Sequence, residues 1–408
     1  MRKTILIIAA MTLLTMEGFA ENVNRTITKE IIKPSTTPLI KAIVPLNIDL
    51  NWKYEEKTIN LQDIAEIEYV PIETSKNIQV DMSGGYQVTQ NRIVCCNKRT
   101  GELLFFDRKG RYLSNFNHKG GKGYKSIQGW LYDEKSDELF INDFFPLRRI
   151  LVYSSKGLLK RKINTLLDYE KMLNYDDNTL IVRRRYLDND GIAKTIKKSK
   201  DYLLISKKDG KLISTINYSL LNQIPTIIIR DLSKDDCVCY RPIRPNDIIG
   251  EGRNFFISDI SSDTIYKYDN KKLLQPFIVY KSAIKEDTLS PMIHLVSKIT
   301  DKFVFITRFR YDFKSNVPRL NEEQDFGINL IDNKIFYPKL VNLDFQENLI
   351  PIISFSDILT PQNMAAYSFD TKVLLVALEK NKLNGALKLV ASKLHQEDNP
   401  VLVILKFK

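Results

Sequence analysis

The sequence predicts an all-β fold made of repeated four-stranded units, a β-propeller, and three observations support this prediction. A pattern of short apolar strands and tight turns recurs at an interval of about 40 to 50 residues. The turns carry Lys-Gly or Asp-Gly, which is typical of antiparallel hairpins. A further apolar strand precedes the first two copies, "YQVTQ" and "IQGWLYD". Four antiparallel strands per copy match a propeller blade.

The repeated units share one order of features. They span residues 92–116, 138–163, 201–216 and 254–277. In each unit a strand leads through a loop to a second strand that ends near an aromatic residue. The first three units then turn at Gly110, Gly157 and Gly210. We expect positive φ at these glycines, because a tight hairpin turn often requires it. The fourth unit lacks the glycine.

The C-terminal third follows a less regular pattern. Residues 292–313 alternate like two strands, and residues 326–345 read as a further hairpin. A change of period then predicts one or two short helices. Its apolar positions are Leu374, Leu375, Leu378, Leu387, Val390 and Leu394. The chain ends on a strand, "VLVILKFK", which we expect to complete a blade together with the strand-like segment 57–74 and so to close the ring.

The N-terminus predicts export. Arg2 and Lys3 precede a short apolar run, and the small residues Gly18 and Ala20 mark a cleavage site, as in a secretory signal peptide over 1–20. The run is shorter than the roughly 20 residues that a transmembrane helix needs. Residues 21–45 contain three prolines and read as a leader or linker, and the propeller domain is expected over 46–408. We expect a periplasmic or extracellular monomer without a transmembrane segment.

The charge of the chain favours acidic partners without identifying one. The sequence has 61 Lys+Arg against 49 Asp+Glu, a net charge of +12. The basic residues are scattered, which is more typical of a solvated surface than of a dedicated anion site. Export argues against nucleic acid as the partner.

The four cysteines leave three interpretations open. Cys95 and Cys96 are adjacent in a strand-like run, so their side chains are expected on opposite faces, whereas Cys237 and Cys239 share a face. Buried free thiols are the leading interpretation, and a bridge between the pairs or a zinc site are the alternatives.

The two ends of the domain carry the pattern of a known family. The opening segment matches at Leu61, Asp63, Ile64, Tyr69, Val70, Pro71, Ile72, Glu73 and Thr74, and the ending matches at Asp398, Asn399, Pro400, Val401, Leu402, Lys406 and Lys408. With these motifs the chain resembles the six-bladed β-propellers of exported proteins in Bacteroides-type bacteria. The resemblance implies six blades, with seven as the alternative, and implies no agreed activity. The lipoprotein cysteine of many members is missing here.

The sequence offers no strong catalytic or metal-binding motif. His118, His294 and His395 are far apart and in no metal-binding spacing, so we expect no metal and no cofactor. The segment 187–191, "LDNDG", resembles a fragment of a calcium loop, but a hairpin turn explains it better. Asp143 and Asp259 end equivalent strands, where Asn97 stands in the first copy. We expect these side chains to bond nearby backbone N–H groups.

Arginine pairs are the better candidates for anion binding. Arg183 and Arg185 share one face of a strand, as do Arg308 and Arg310. Guanidinium groups on a common rim bind carboxylate or sulfate in a bidentate manner. The alternative is that these arginines lie exposed on outer strands.

The stretch "NHKGGKGYKS" suggests a candidate binding patch. It is not a phosphate-binding loop, because Tyr124 stands where that motif needs Gly before Lys, and because a strand follows it. We interpret it as the crossover from an outer strand to the next inner strand. Lys119, Lys122 and Tyr124 are then expected on the same face as Arg148, as an anion- or glycan-facing patch.

The functional hypothesis is a non-catalytic binding protein of the cell envelope. Its ligand, a peptide, a glycan or an envelope protein, is expected at the mouth of the central channel. The alternative is a hydrolase or lyase acting on extracellular carbohydrate or lactone, since the fold does not decide between binding and catalysis.

Overall fold

The protein is described by a computed structural model. The described residues are 44–75, 78–80, 85–143, 148–165, 169–184, 202–216, 218, 227–231, 236–240, 247–251, 254–259, 262–269, 273–281, 292–312, 317–346, 349–356 and 358–408. The expected signal peptide and almost all of the expected leader lie outside them, as do Arg185 and the "LDNDG" segment.

Six blades surround a central axis, as the resemblance implied, and the alternative of seven blades is wrong. The first strands are β1 (Leu46–Asp49), β2 (Glu56–Asn60) and β3 (Ala65–Pro71), with the short helix α1 (Leu61–Ile64). Blade 1 contains β4 (Tyr86–Val88), β5 (Arg92–Asn97), β6 (Glu102–Asp107) and β7 (Tyr112–Phe116). Blade 2 contains β8 (Gly129–Asp133), β9 (Glu138–Asp143), β10 (Arg149–Tyr153) and β11 (Leu159–Asn164). Blade 3 contains β12 (Tyr169–Asn174), β13 (Thr179–Arg184), β14 (Tyr202–Ser206) and β15 (Leu212–Thr215).

The second half of the ring repeats this plan. A separate hairpin of β16 (Ile227–Asp231) and β17 (Asp236–Tyr240) follows blade 3. Blade 4 contains β18 (Ile248–Glu251), β19 (Asn254–Ile257), β20 (Thr264–Tyr268) and β21 (Leu274–Lys281). Blade 5 contains β22 (Met292–Ile299), β23 (Phe303–Asp312), β24 (Val317–Asn329) and β25 (Lys334–Val341). A 3-10 helix (Ile352–Ser356) and β26 (Ile358–Leu359) lead into blade 6, which contains β27 (Met364–Phe369) and β28 (Val401–Phe407).

The blades depart from four strands where the chain ends meet the ring. β1 adds a parallel strand to the outer edge of blade 4, and β2 does the same for blade 5. β26 pairs in parallel with the inner strand of blade 1. These additions cover edges that would otherwise present unpaired backbone groups. Among the sheets that the described residues form, those of blades 2 and 3 have the simple four-stranded form that the repeat predicts.

The ring closes through blade 6, as predicted. β28 lies between β27 and β3, and its antiparallel pairing with β3 runs from Val401 opposite Pro71 to Phe407 opposite Ala65. Strands from the two ends of the domain therefore share one sheet, and the ring has no open seam between its first and last blades.

Packing between blades explains why the strands read as continuous apolar runs. In β5, Ile93 and Cys95 pack toward Leu402 and Ile404 of blade 6. Val94 and Cys96 of the same strand pack in the other direction, in a cluster with side chains of blade 2. A strand that is buried on both faces needs apolar residues at successive positions, so its sequence does not alternate.

The turn glycines have the predicted conformation. φ is +80° at Gly110, +78° at Gly157 and +74° at Gly210. At Gly110 a side chain is also excluded by a close approach, because a Cβ atom there would lie 2.1 Å from the Pro71 carbonyl oxygen. The turn between β6 and β7 thus packs directly against the closing strand β3.

The predicted helices form an insertion within blade 6. α2 (Thr371–Glu379) and α3 (Gly385–Ala391) connect β27 to β28, and they bury Leu374 and Leu387 against the blade. The Asp370 carboxylate caps α2 by accepting a hydrogen bond from the Lys372 N–H. Among the described residues, no helix is long and apolar enough to cross a membrane.

The first cysteine pair lies as predicted. Cys95 and Cys96 are free, buried and directed to opposite faces of blade 1. Burial raises the pKa of the Cys96 thiol to about 12, which keeps it protonated and unreactive. Because Cys95 and Cys96 are free, they form no bridge to the second pair, and the side chains of Cys237 and Cys239 lie outside the described residues.

Candidate functional site

A cavity of about 280 Å³ lies at the hub of the propeller, where the inner strands converge. Its lining residues come from β4, β8, β12, β18 and β22 and from the segment 355–362 that leads into blade 6. Blades 1 to 5 and the segment that leads into blade 6 therefore contribute to one site. A pocket of this kind, with several polar groups among apolar ones, is the default binding site of the fold.

The charged residues of the lining are mostly basic. Among the described lining residues the cations are Lys98, Lys171, Arg183 and Lys298, and the acid is Asp247. The cavity lies between low-dielectric walls, which strengthen the field of such charges. We therefore expect the hub to attract anions.

Asp247 is matched by a buried arginine. The Arg183 guanidinium, 3% exposed, lies 2.6 Å from an Asp247 carboxylate oxygen and 3.8 Å from Asp259. The Tyr202 hydroxyl donates a further hydrogen bond of 3.2 Å to Asp247. These residues join blade 3 to blade 4. The interpretation that Arg183 is an exposed outer-strand residue is therefore wrong, because the strand faces the neighbouring blade.

Two lysines of the lining also bridge blades. The Lys298 ammonium donates to the Thr360 hydroxyl at 2.9 Å and to the Pro361 carbonyl at 2.8 Å. The Lys171 ammonium donates to the Ile248 carbonyl at 3.2 Å. These acceptors are neutral oxygens, and they hold both ammonium groups beside the cavity.

A β-bulge shapes one wall of the cavity. In β22, Val296 pairs with Ile306 and Lys298 pairs with Phe305, so that Ser297 has no opposite residue in β23. Both Ser297 and Lys298 line the cavity. In a regular strand, successive side chains point to opposite faces. The bulge interrupts this alternation where β22 borders the cavity, and bulges are common beside functional sites.

The predicted crossover lies where expected, between β7 of blade 1 and β8 of blade 2. Lys119 and Lys122 are exposed. The Lys119 ammonium donates to the Arg99 carbonyl at 2.5 Å, so the crossover contacts the β5–β6 loop. The residue before Arg99 in that loop is Lys98, which lines the cavity. Lys119 therefore lies next to the loop that carries Lys98.

Tyr124, the third residue of the predicted patch, is fully buried. Its hydroxyl donates to the Gly101 carbonyl and accepts a hydrogen bond from the His118 N–H at 3.0 Å. Burial raises its pKa well above the usual value for tyrosine. Tyr124 anchors the crossover to blade 1 and does not face solvent.

Arg148, the fourth residue of the patch, is exposed at the end of blade 2 that carries the crossover. The contacts of the neighbouring residues indicate this position of Arg148. Asp143 accepts hydrogen bonds from the N–H groups of Lys125 and Ser126, and Arg149 pairs with Asp143 at 2.9 Å. Lys119, Lys122 and Arg148 are thus exposed, and their role as a binding patch stays a prediction.

The strand-end acids bond to more distant partners than predicted. Asn97 does bond its own turn, by accepting from the N–H groups of Arg99 and Thr100. Asp143 instead fixes the crossover, and Asp259 lies near Arg183 of the next blade. These carboxylates stabilise the contacts between blades.

The three histidines do not converge on the cavity. The His118 ring accepts or donates a hydrogen bond at the Gly157 carbonyl, and His395 is exposed. His294 is buried and stacks on Tyr280, with 4.2 Å between ring centroids. Within the described ranges, no three His, Cys, Asp or Glu side chains lie close enough to hold a metal ion.

His294 should make the protein less stable in mild acid. Burial, with a smaller effect of the Arg308 charge, lowers its pKa from 6.5 to about 3. Below pH 6.5 the unfolded chain binds a proton that the folded protein does not, so stability falls as the pH decreases from 6.5 toward 3. The loss should reach about 2 kcal/mol at pH 5. Urea unfolding at pH 8 and pH 5 measures this loss. Between these two pH values, the free energy of unfolding of the His294→Phe variant should fall by about 2 kcal/mol less than that of the wild type.

The control for this prediction is His395→Phe, which removes an exposed imidazole. It should leave the pH dependence of the free energy of unfolding unchanged. An identical pH dependence in the wild type and in His294→Phe would contradict the prediction.

Comparisons with known proteins agree with the fold. Residues 45–406 match the model of a family described as a domain of unknown function, DUF4934. The crystal structure of a Bacteroides fragilis protein, BF0058, named as an exported protein, is similar with a TM-score of 0.60 and 13% identity, covering 90% of this chain and 100% of that one. A DUF4221 family member from Bacteroides vulgatus gives a TM-score of 0.46 and 9% identity, covering 85% of this chain and 97% of that one. A search of curated proteins found no match. The six-bladed propeller implied by the sequence resemblance is confirmed.

Proposed function

We propose a function from the geometry of the hub, because the chain belongs to a family, DUF4934, that is described as a domain of unknown function. Membership in this family brings no activity with it. The protein is an exported, non-catalytic binding protein, and it holds an anionic ligand at the mouth of its central channel. The observation that carries this proposal is the cavity lined by blades 1 to 5 and by the segment before blade 6, with four cations and one acid among its described charged residues.

Exposed basic residues at the rim of the channel also support an anionic ligand. Lys98, Arg99, Lys119 and Lys122 are exposed on the loops that surround one side of the mouth. A ligand longer than the cavity would pass between these side chains on its way in. Basic groups at the rim raise the rate of association with anions, and those at the hub contribute more to affinity because water is excluded there.

Export supports the choice of ligand class. The basic start, the short apolar run and the small residues before position 21 are those of a signal peptide. Anions that an exported protein meets include acidic glycans and acidic segments of envelope proteins. The enzymatic alternative, a hydrolase or lyase on the same scaffold, needs a group of acids or histidines at the hub, and Asp247, the acid described there, is paired with Arg183.

The proposal is tested by binding of an acidic polymer. Polygalacturonate should bind the mature protein in isothermal titration calorimetry, more weakly at high salt, whereas neutral dextran should not bind. Replacing Lys98, Lys119 and Lys122 together by Glu should reduce the affinity roughly tenfold or more, since three favourable charge contacts become repulsive.

A matched triple variant controls for net charge. Lys109, Lys156 and Lys208 are exposed in the third-to-fourth strand turns of blades 1, 2 and 3, on the opposite face of the propeller. Their replacement by Glu changes the net charge by the same amount but should leave affinity nearly unchanged. An equal loss in both triple variants, or no binding of any acidic polymer, would reject the proposed site. Cleavage of the polymer on incubation would favour the enzymatic alternative.

A further inference from the structure

Three neighbouring blades expose apolar side chains at equivalent positions of their third-to-fourth strand turns. In blades 1, 2 and 3 the turn glycine is followed, within three residues, by a leucine or isoleucine that faces solvent. Leu158 is 69% exposed and Leu212 is 59% exposed. The full set is Leu113, Leu158, Leu159, Leu212 and Ile213. A single exposed leucine needs no explanation, but the same exposure repeated in adjacent blades indicates an interaction surface.

These turns lie side by side, because each one contacts the outer strand of the preceding blade. The Ser114 hydroxyl of β7 donates a hydrogen bond to the Ser155 carbonyl, in the turn of blade 2, at 2.9 Å. The Arg161 guanidinium of β11 donates to the Lys207 carbonyl, in the turn of blade 3, at 2.8 Å. The apolar side chains therefore form one arc along the outer edge of the propeller face that lies opposite the channel mouth.

The helical insertion of blade 6 continues this arc. A groove of about 450 Å³ lies between α3 and the turn of blade 1, with Leu389 and Lys393 on one side and Lys109 and Arg111 on the other. Leu389 is 67% exposed. We call this continuous surface the basic apolar arc, and it consists of residues 109–113, 156–160, 208–213 and 388–393.

The charges of the basic apolar arc are mostly positive. Its residues include eight Lys or Arg and one acid, Asp209, which pairs with Lys211 at 3.3 Å. Arg111 and Lys160 pair with carboxylates next to the arc. The remaining lysines are exposed around the apolar side chains, and they are Lys109, Lys156, Lys208, Lys388 and Lys393.

This charge decides which kind of partner fits the arc. A second copy of the chain, docked through the same surface about a two-fold axis, would bring the like charges of both copies together. An anionic partner complements them. Turns at one end of successive blades can all contact a flat surface at once, and a bilayer with anionic headgroups offers both the flat surface and the negative charge.

We propose that the basic apolar arc docks on the surface of a bilayer that contains anionic phospholipids. The leucine and isoleucine side chains enter the boundary between headgroups and acyl chains, and the lysine ammonium groups stay among the phosphates. The long lysine stems cover apolar surface while their charged ends reach the headgroups. Asp176 and Asp177 lie on the same face in a first-to-second strand turn, nearer to the axis, so the contact is confined to the outer arc. Docking through this face leaves the channel mouth free.

Vesicle sedimentation tests the proposal with the mature protein. Vesicles made of equal parts of phosphatidylcholine and phosphatidylglycerol should bind it at low salt, and vesicles of phosphatidylcholine alone should not. The arc variant, in which Lys109, Lys156 and Lys208 are replaced by Glu, should bind about 100-fold more weakly, since each lysine near an anionic surface contributes a factor of roughly five. Equal binding to both kinds of vesicle, or to neither, would overturn the proposal.

The matched control is the rim variant, in which Lys98, Lys119 and Lys122 are replaced by Glu. The six residues of β6 separate the Lys98 loop from the Lys109 turn by about 20 Å. The rim variant has the same net charge as the arc variant and should keep its affinity for the vesicles while it loses affinity for polygalacturonate. The arc variant should show the reverse. An equal loss of vesicle binding in both variants would mean adsorption through net charge and would reject the arc. The polymer result separately decides the proposed function.

A second pair of variants tests the apolar side chains. Leu158→Ser together with Leu212→Ser should weaken vesicle binding about 10-fold, because less apolar surface enters the bilayer. Leu343→Ser together with Leu349→Ser changes two leucines that are 48% and 57% exposed after β25, outside the arc, and should leave binding unchanged. Full vesicle binding by the Leu158 and Leu212 variant would contradict insertion. A wild-type dimer in size-exclusion chromatography that this variant dissociates would assign the arc to a second copy and overturn the membrane contact.

Discussion

Replacing Arg183 with methionine should lower the free energy of unfolding by about 3–5 kcal/mol. The variant keeps an unbranched apolar stem but removes the charge that lies 2.6 Å from Asp247 and 3.8 Å from Asp259. Both carboxylates are at most 3% exposed and would lose this cation in the contact between blades 3 and 4. A buried carboxylate that loses its cation costs far more than a lost surface ion pair.

The loss can be measured by urea unfolding at pH 7, with two comparisons. Arg111→Met breaks a partly exposed pair with Asp107 and should cost less than about 1 kcal/mol. Adding Asp247→Asn to Arg183→Met should recover part of the loss, because one of the buried charges is then removed. If Arg183→Met costs no more than Arg111→Met, the buried pair does not hold the two blades together.

Most of the fold could be predicted because each blade is encoded locally. The strands and turns of one blade lie within about 50 residues, so apolar runs and turn glycines are enough to find them. The closing strand was also predicted, since a ring must join its ends. The added strands β1 and β2 were not, because pairing with β21 and β25 involves residues more than 200 positions away.

Most residues of the hub cavity could not be predicted from the sequence, and the reason is geometric. Contacts across the channel join residues from different blades, and a strand pattern does not show which neighbour a side chain meets. Arg183 sits in the run "RRR", which reads as exposed, yet its strand faces blade 4. The bulge at Ser297 depends on the pairing of β22 with β23, which no local pattern reveals.

One signal of the hub was present in the sequence. Lys298 interrupts the apolar run "MIHLVSKIT", in a strand that otherwise reads as buried. A lysine at such a position needs a polar environment within the core. The patch of Lys119, Lys122 and Arg148 stays a prediction, which rests on the rule that crossovers and second-to-third strand loops meet at the same end of a blade. Tyr124 is buried rather than exposed, because its hydroxyl donates a hydrogen bond to the Gly101 carbonyl inside the fold.

Replacing Asn399 with alanine should also lower the free energy of unfolding strongly, by about 3 kcal/mol or more. The side chain is 6% exposed and makes three hydrogen bonds to the backbone of the opening segment. It donates to the Glu73 carbonyl at 2.8 Å and the Ile78 carbonyl at 3.0 Å, and it accepts from the Val80 N–H at 2.9 Å. Alanine would leave these backbone groups without that partner at the seam where the ring closes.

Two further variants make the Asn399 prediction specific. Asn399→Asp keeps an acceptor for Val80 but places a carboxylate oxygen against two carbonyls, so it should destabilise the protein as well. Asn384→Ala changes an exposed asparagine before α3, whose side-chain contact with Leu343 is 3.5 Å long, and should alter stability by about 0.5 kcal/mol at most.

The position of the Asn399 effect tests how the ring is held closed. The asparagine belongs to the ending motif and its partners belong to the opening segment, so the side chain joins the two ends just before β28 pairs with β3. Hydrogen exchange in Asn399→Ala should therefore accelerate first at the amides of β3 and β28, before blades 2 and 3. Uniform acceleration over all six blades would mean that the ring opens only by global unfolding. A loss below about 1 kcal/mol would show that the β3–β28 ladder closes the ring without this asparagine.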